Sequence, residues 1–512
     1  MKGRVVFTIL AGVALMAAGL FVLFLFIIPS FRPAGLDGVY VKSKYMTYYD
    51  VEHILEQRNF VIEGDSTEVI IRIRKVGYED ESRIQVFENA NGVSFNSVNR
   101  THVDFLEYID EDNVAHCKII IQEPKGAVSR RAKVYINLKR DHKIHATEEE
   151  PYNFILNTGR GTVRFENDPS AEYMHIDTLQ VNGTGDVILP APIAVTPQNQ
   201  NPFELRVTNL RINSPNASVN CRSKIYGLTS ITGNSRSIVL GDIENLNVEG
   251  TSNVITVENI GTKELGGNVD FKSNGSLTIN GQAKGRVYVR GDNVRLQARR
   301  IHSLDFETIG GQASASRVDD FSFVRMQEGT LTLGAKGNGL GVFGNVDIDK
   351  LKGGASVIFA NDETATGNCK IRAGYNPISV HGVRGKVDIY ISSMGTADVY
   401  VGFSLVHAES RIIIEGSREL NYSGGNVTVA LLNNARADLG VTLHLRGTWQ
   451  AIDQVTAGRP KDDELLNCHN TMHSVLDDWQ SDSSCVLNQI RDGGELLYVK
   501  TQGSFLIRAG AY

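Results

Sequence analysis

Short alternating strands are the feature that most constrains how this chain can fold. Residues 266–298 read GGNVDFKSNGSLTINGQAKGRVYVRGDNVRLQA, with apolar and polar residues alternating between Asn-Gly, Gly and Gly-Asp. Alternation with a period of two indicates half-buried β-strands, and Gly or Asn between them indicates tight turns. The pattern continues over residues 152–450. In the quoted segment and the strand that follows it, the residues expected to point inward are Val269, Phe271, Leu277, Ile279, Val287, Val289, Val294, Leu296, Leu304 and Phe306.

The strands recur at a regular interval, which favours a repeat architecture. Every second strand lies 17 or 18 residues further on, from 269 to 287, from 277 to 294 and from 287 to 304. A strand pair that cannot bury its own apolar face must stack on the next pair, as in a solenoid. The alternative is a large antiparallel sandwich in which Asn274-Gly275 forms a hairpin turn. We therefore predict a large parallel β-solenoid over residues 151–450.

The Gly- and Asn-punctuated strands of NVDFKSNGSLTINGQAKGRVYVRGDNVRLQA resemble a known family. They are similar to the adhesin-type β-solenoid domains of bacterial envelope proteins and of some eukaryotic single-pass proteins. The resemblance covers residues 152–450 and has no invariant motif. It implies an extracellular β-solenoid and assigns no functional residues.

The beginning of the chain predicts a membrane anchor. Residues 5–28, VVFTILAGVALMAAGLFVLFLFII, carry no charge. As a helix they would be about 36 Å long, which is enough to cross a hydrocarbon core of about 30 Å. The run is longer than the apolar region of a signal peptide, so an uncleaved signal anchor is favoured over a cleaved one. Lys2 and Arg4 flank it closely, which predicts a cytoplasmic tail at 1–4 and an extracellular or periplasmic bulk at the cell membrane.

The remaining segments complete an all-β fold with a small helical part. We expect a linker at 29–45 and a small antiparallel β domain at 46–150, opening with a helical turn over 46–60 capped by Asp50. Residues 451–512 are predicted to form a short α/β cap of helix plus strands. Its helix, within 458–485, is indicated by the spacing of Leu465, His469, Met472, Leu476 and Trp479.

One strand offers a candidate ligand strip. Arg286, Tyr288 and Arg290 alternate on its outward side, and Arg295 follows. A cationic, partly aromatic strip would suit glycans, anionic surfaces such as lipid headgroups, or an acidic protein partner. The alternative is an ordinary solvated face neutralised by nearby carboxylates, among them Asp270, Asp292 and Asp305.

Two kinds of covalent modification are also predicted. Cys468 and Cys485, seventeen residues apart, are a candidate disulfide in an oxidising compartment, which the chain-entropy model values at about 3 kcal/mol. Asn-X-Ser/Thr sequons indicate a glycoprotein if the compartment glycosylates. The candidate sites are Asn99, Asn182, Asn216, Asn274, Asn421 and Asn426.

These features favour a single-pass cell-surface protein that acts as an adhesin, binding surface or envelope scaffold. A membrane-tethered carbohydrate-active enzyme is an alternative. However, the residues that flank Asp319-Asp320 and His381 in the sequence do not match those of pectin-degrading enzymes, so catalysis is not expected. An accessory subunit of a transporter or signalling complex is a third possibility. The formal charge of -6 and the lack of a basic block give no indication of a nucleic-acid partner. No cofactor or metal motif is present in the sequence.

Overall fold

The chain consists of two units built from β-strands, as described by a computed structural model. The first unit comprises Met1–Ile176 and Val181–Glu204, and the second comprises Asp177–Gln180 and Leu205–Tyr512. The described residues are 15–16, 41–50, 58–65, 67–74, 83–92, 101–111, 113–122, 129–139, 151–166, 173–192, 204–261, 266–350, 352–374, 377–392, 398–405, 409–415, 425–432, 439–445, 449–451, 467–471, 483–488, 495–501 and 505–510. They confirm the predicted all-β class.

The strands up to residue 189 combine parallel and antiparallel pairing. They are β1 (Val41–Asp50), β2 (Asn59–Gly64), β3 (Glu68–Arg74), β4 (Arg83–Gly92), β5 (His102–Ile109), β6 (Ala115–Gln122), β7 (Ser129–Lys139), β8 (Tyr152–Thr158), β9 (Val163–Glu166), β10 (Tyr173–Val181) and β11 (Asp186–Leu189). β4 pairs antiparallel with β1 and β7, and β5 with β6. However, β2 pairs in parallel with β6 and β8, and β3 with β7 and β9. The prediction of a small antiparallel β domain is therefore wrong for these parallel pairs, because sequence alternation marks strands without fixing their partners.

The helical turn predicted over 46–60 is also wrong where the structure describes it. Met46 to Asp50 form the second half of β1 and pair with Phe87 to Arg83 of β4. Asn59 and Phe60 begin β2. Threonine and tyrosine favour strands, and a partner strand outweighs the capping preference of Asp50. β1 also begins at Val41, inside the segment predicted as linker.

An aromatic cluster forms the core between β2 and β8. Alternate residues of β8 are buried, including Tyr152, Phe154 and Leu156. The ring of Phe60 stacks on Phe154 with centroids 5.5 Å apart, and Phe165 meets Phe154 edge-on at 5.4 Å. Such pairs add about 1 kcal/mol beyond the burial of their area.

The strands of the second unit are short at its C-terminal end and long near its beginning. They are β12 (Glu204–Cys221), β13 (Lys224–Glu249), β14 (Asn253–Ile260), β15 (Val269–Lys272), β16 (Gly275–Val318), β17 (Ser322–Met326), β18 (Thr330–Leu333), β19 (Gly341–Val342), β20 (Val346–Lys350), β21 (Ala355–Ile358), β22 (Cys369–Ala373), β23 (Ile378–Val383), β24 (Val387–Ser392), β25 (Val399–Phe403), β26 (Arg411–Glu415), β27 (Val427–Leu432), β28 (Leu439–Leu445), β29 (Trp449–Ala451), β30 (Asn467–Thr471), β31 (Ser483–Asn488), β32 (Glu495–Thr501) and β33 (Phe505–Gly510).

Pairing in this unit is parallel from β12 to β27 throughout the described residues. On one ladder, paired residues lie 18 to 24 residues apart. Leu246 pairs with Val269, and Val269 with Val287. Further along, successive partners are Leu304, Ser322, Val346, Cys369 and Val387. The hairpin at Asn274-Gly275 is wrong, because Lys272 pairs in parallel with Arg290 and Gly275 with Asn253.

The interior of the stack is apolar, as the alternation predicts. Every inward residue predicted between 269 and 306 is 2 % exposed or less. Val269 lies beside Val287 and Phe271 beside Val289, so apolar residues stack on apolar residues from strand to strand. Phe271, Phe306, Phe359 and Phe403 are among the largest fully buried side chains. The apolar interior therefore continues along the ladders.

Asparagines at the strand starts connect successive layers. The side-chain carbonyl of Asn268 accepts a hydrogen bond from the backbone N–H of Arg286 at 3.1 Å, and Asn245 accepts from Asn268 at 3.2 Å. Asn345 accepts from Asn368, and Asn368 from Lys386, both at 2.8 Å. Each amide satisfies a donor where the chain bends and its own ladder is interrupted.

The predicted C-terminal helix is wrong over its described residues. Asn467–Thr471 forms β30, which pairs antiparallel with β31 over Ser484–Asn488. The apolar residues there have a helical spacing, but hydrogen bonding to a partner strand outweighs that local preference. β31 also pairs antiparallel with β28, and β28 pairs in parallel with β32.

The predicted membrane anchor at residues 5–28 lies outside the described residues, apart from Leu15 and Met16, which are helical. In the described part of the chain, no helix has both the length and the hydropathy needed to cross a bilayer.

Candidate functional site

A groove of about 600 Å³ lies on the second unit beside β16. Its cationic lining consists of Lys284, Arg286 and Arg300, with His302 next to Arg300. The rest of the lining is Gly266, Asn268, Gln282, Ala283, Gly285, Ser303 and Asp319. Among the described residues that line the groove, only Asp319 has a carboxylate.

Two small residues shape the space between the cations. Ala283 is buried at 1 % exposure, and Gly285 separates Lys284 from Arg286. A Cβ atom on Gly285 would lie 2.7 Å from Oδ1 of Asn268, so a side chain there would clash. The same oxygen of Asn268 accepts a hydrogen bond from the backbone N–H of Arg286. Glycine at 285 therefore leaves room for this contact.

The groove carries more positive than negative charge. Nε of Arg300 lies 2.8 Å from the carboxylate of Asp319, which Arg317 also contacts. Arg286 forms an ion pair with Asp305. Among the described residues, the side chains of Lys284 and His302 have no hydrogen-bond or ion-pair partner, and both residues are exposed. The side chain of Arg286 is 63 % exposed, so its guanidinium, which has five N–H donors, can donate to an anionic ligand while it stays paired with Asp305.

Three members of the predicted strip share one outward face. Arg286 and Arg290 have side chains 63 % exposed, and the guanidinium of Arg286 lies 5.9 Å from the ring centre of Tyr288. Arg290 lies 3.8 Å from Glu307, which also pairs with Arg325 at 3.4 Å. Carboxylates on the next strand layer thus partly neutralise the strip. Arg295 lies outside the groove lining and has no ion pair within the described part of the chain.

An exposed aromatic pair lies beside the groove. The rings of Phe321 and Phe323 are stacked with centroids 6.4 Å apart and planes 11° apart, and Phe321 is 40 % exposed. Phe323 pairs in register with Asp305, the partner of Arg286. Phe321 and Phe323 were not among the predicted site residues, although the alternation indicates them: Ser322 and Val324 are the inward residues of β17, so the two phenylalanines occupy outward positions.

The residues considered for catalysis have other partners. Asp319 binds Arg300 and Arg317, and Asp320 lies 3.4 Å from the hydroxyl of Ser303. Nε2 of His381 lies 3.0 Å from Oγ of Ser379, and its ring centre lies 4.5 Å from that of Tyr400. Glycoside hydrolysis requires two carboxylates flanking the bond to be cleaved. With one carboxylate among its described lining residues, the groove is suited to binding anions.

The predicted glycosylation sites differ in their surroundings. Asn99 and Asn421 lie outside the described residues. Asn216 is exposed. The side-chain nitrogens of Asn182 and Asn426 donate to Asn157 at 2.7 Å and to Asp398 at 3.0 Å, while Asn274 accepts from the N–H of Asp292 at 2.8 Å. Glycosylation of Asn182 or Asn426 would therefore have to displace an existing contact.

The candidate disulfide would connect two paired strands. Cys468 lies opposite Leu487 and Cys485 opposite Asn470 in the antiparallel pairing of β30 and β31, so the two cysteines are diagonal neighbours. The bond remains a prediction. Cys117, Cys221 and Cys369 are free and buried, and burial raises the pKa of the Cys117 and Cys221 thiols to about 12. No group of three or more His, Cys, Asp or Glu among the described residues could hold a metal ion.

Comparisons with known proteins give little similarity. No protein-family model matches the chain, and no curated protein matches its sequence. A crystal structure of a "putative adhesin" from Parabacteroides merdae is 9% identical, covers 71% of this chain and 97% of its own, and has a TM-score of 0.20. One of a "putative cell adhesion protein" from Clostridium sporogenes is 9% identical, covers 91% and 100%, and has a TM-score of 0.12. Similarity at these TM-scores carries no argument about this chain.

Proposed function

We propose that this protein is a membrane-anchored, extracellular binding protein whose second unit is a parallel β-solenoid with an anion-binding surface. The observation that carries the proposal is the groove, in which Lys284 and His302 are unpaired within the described chain and Lys284, Arg286 and Arg300 outnumber the single lining carboxylate, Asp319. Cations in such a groove attract anionic ligands and hold them through charge-assisted hydrogen bonds. The role is adhesion or surface binding, without catalysis.

The parallel register supports the solenoid. Partners 18 to 24 residues apart recur from Leu246 to Val287 and from Leu304 to Val387. A second ladder runs through Ala313, Leu331, Ala355, Ile378, Val399 and Val427. Two parallel ladders that advance together are expected when each turn of chain stacks on the previous one. Such stacking places outward residues in rows and creates an extended surface.

Binding to a polyanion tests the groove. We expect the full chain to bind polyphosphate in low salt, and the double variant K284A/R286A to bind about tenfold or more weakly, because two charge-assisted contacts are lost. The matched control is R295A/R299A, which removes the same charge from exposed arginines outside the groove lining. Isothermal titration at several salt concentrations measures the effect. Equal losses in the two double variants would contradict a localised site.

Protease treatment of intact cells tests the location. The hydrophobic segment at 5–28 and its flanking Lys2 and Arg4 support a chain whose bulk lies outside the membrane. With an epitope at the C-terminus, we expect added protease to remove the epitope from intact cells. Detergent-permeabilised cells provide the control for cleavability. A C-terminus that survives on intact cells and is lost after permeabilisation would reverse the proposed orientation.

A further inference from the structure

We propose that the groove and the adjacent aromatic pair together form a binding site for an acidic polysaccharide, with the cations holding carboxylates and Phe321 and Phe323 supporting a sugar ring. This inference rests on the proposed function, because it names the class of ligand that the anion-binding surface takes.

The cationic part lies on two neighbouring layers of strand. Lys284 and Arg286 lie on either side of Gly285, and Arg300 and His302 follow on the next layer. All four line the same space, so an anion there can meet more than one of them. Arginine presents a planar fork of donors that matches a carboxylate, while lysine adds a point charge. Two donors of this kind beside each other suit a chain that carries repeated acidic groups.

The aromatic part lies on the layer that follows. The carbonyl of Phe321 accepts a hydrogen bond from the N–H of Leu304 at 2.8 Å, and Leu304 follows the groove residue Ser303. Phe323 pairs with Asp305, whose carboxylate holds Arg286. Adjacent strands are about 4.8 Å apart, so the aromatic pair lies one strand spacing from the layer of Arg300 and His302. That distance corresponds to about one sugar unit of an extended polysaccharide.

The aromatic pair distinguishes this ligand from a simple polyanion. Large apolar side chains at outward positions of a strand lose water contact when a ligand covers them. The ring planes of Phe321 and Phe323 are nearly parallel, 11° apart, and the guanidinium of Arg325 lies 5.5 Å from the ring centre of Phe323. The apolar face of a pyranose ring can cover such a platform while its carboxylate reaches the groove. Polyphosphate has no face of this kind, and an acidic lipid surface would cover the platform without the regular spacing of a sugar chain.

Matched sugars provide the test. We expect the full chain to bind a galacturonic acid hexamer, and to bind its fully methyl-esterified form at least tenfold more weakly, because esterification removes only the charges. The variant F321A/F323A should lower the ratio of hexamer affinity to polyphosphate affinity by about tenfold, the scale of one buried aromatic contact. Y390A, which removes an exposed tyrosine elsewhere in the unit, is the matched control. Circular dichroism of each variant verifies its folding.

The possible outcomes separate the two proposals. If the wild-type chain binds polyphosphate and the hexamer equally, and F321A/F323A leaves their ratio unchanged, the polysaccharide inference is wrong and the anion site stands. If neither polyanion binds in low salt, the anion-binding function itself fails. Tighter binding to phosphatidylserine vesicles than to the hexamer would identify a lipid surface as the ligand and overturn the inference.

Discussion

Replacing Gly311 with alanine is expected to lower the free energy of unfolding of the second unit by about 3 kcal/mol or more. Gly311 has φ of +133°, which L-residues with a Cβ rarely adopt. Its added Cβ would also overlap the backbone carbonyl and nitrogen of Val294 on the preceding layer. Two independent costs therefore add, namely backbone strain and a forced separation of stacked strands.

The same arrangement recurs on the following layers. A Cβ on Gly329, at φ +117°, would overlap the carbonyl of Gly311, and a Cβ on Gly353, at φ +93°, would overlap the carbonyl of Gly329. The three glycines form a column in which each layer lies directly on the backbone of the last. Alanine at Gly311 should therefore disturb the layers on either side as well as its own turn.

Gly310 supplies the matched control for this prediction. It precedes Gly311, its φ is outside the left-handed region, and a Cβ there would meet only the carbonyl of Asp292 at 3.5 Å. We expect G310A to change stability by less than about 1 kcal/mol. Urea unfolding of the full chain, followed by far-UV circular dichroism, compares the two variants. Equal stability of G311A and G310A would show that the stack does not require glycine at Gly311.

Alternation predicted the interior of the second unit well, because burial in a strand depends mainly on the local pattern. Val287, Leu296 and Phe306 are buried as expected. The same alternation places Phe321 and Phe323 at outward positions and Lys350 at an inward one. They were not predicted, because outward residues are usually polar and inward residues usually apolar. Exceptions to the polarity pattern therefore gave the residues on which the ligand proposal and the pH prediction are based.

Pairing partners could not be predicted, because they depend on contacts distant in sequence. β2 pairs with β6 and β8, and its alternation has no feature that distinguishes parallel from antiparallel partners. The ion pair of Arg286 with Asp305 was anticipated as one of several neutralising neighbours, and register selected it. At Asn467–Thr471 a helical spacing gave the wrong element, since strand pairing outweighed it.

Lys350 gives rise to the second large effect, a stability that depends on pH. Its side chain is 1 % exposed, and Nζ donates to the carbonyls of Gly329, at 2.7 Å, and Gly354. Burial lowers the pKa of Lys350 from 10.5 to about 8. Between about pH 8 and pH 10.5, the amine of Lys350 is protonated in a larger fraction of unfolded chains than of folded chains. The contribution of Lys350 to stability therefore rises with pH, by about 3 kcal/mol at pH 10 relative to pH 7.

Buried thiols act in the opposite direction and must be separated from this effect. Burial raises the pKa of Cys221 from 9.0 to about 12, and that of Cys369 still further. Their unfolded forms ionise above about pH 9, so their contribution to stability falls as pH rises further. The total stability of the wild-type chain mixes both trends. Only the difference between the wild type and a Lys350 variant isolates the lysine.

The variant K350M is expected to be nearly as stable as the wild type at pH 7 and about 3 kcal/mol less stable at pH 10. At pH 7 methionine removes a buried charge but leaves the carbonyls of Gly329 and Gly354 without their donor, and these effects offset each other. At pH 10 the neutral amine still donates, so methionine only removes favourable contacts. K370M is the control, because the side chain of Lys370 is 41 % exposed and pairs with Asp347 at 2.9 Å. Urea unfolding at both pH values measures the difference, and a K350M effect of the same size at pH 7 and pH 10 would show that Lys350 is not buried as a charged group.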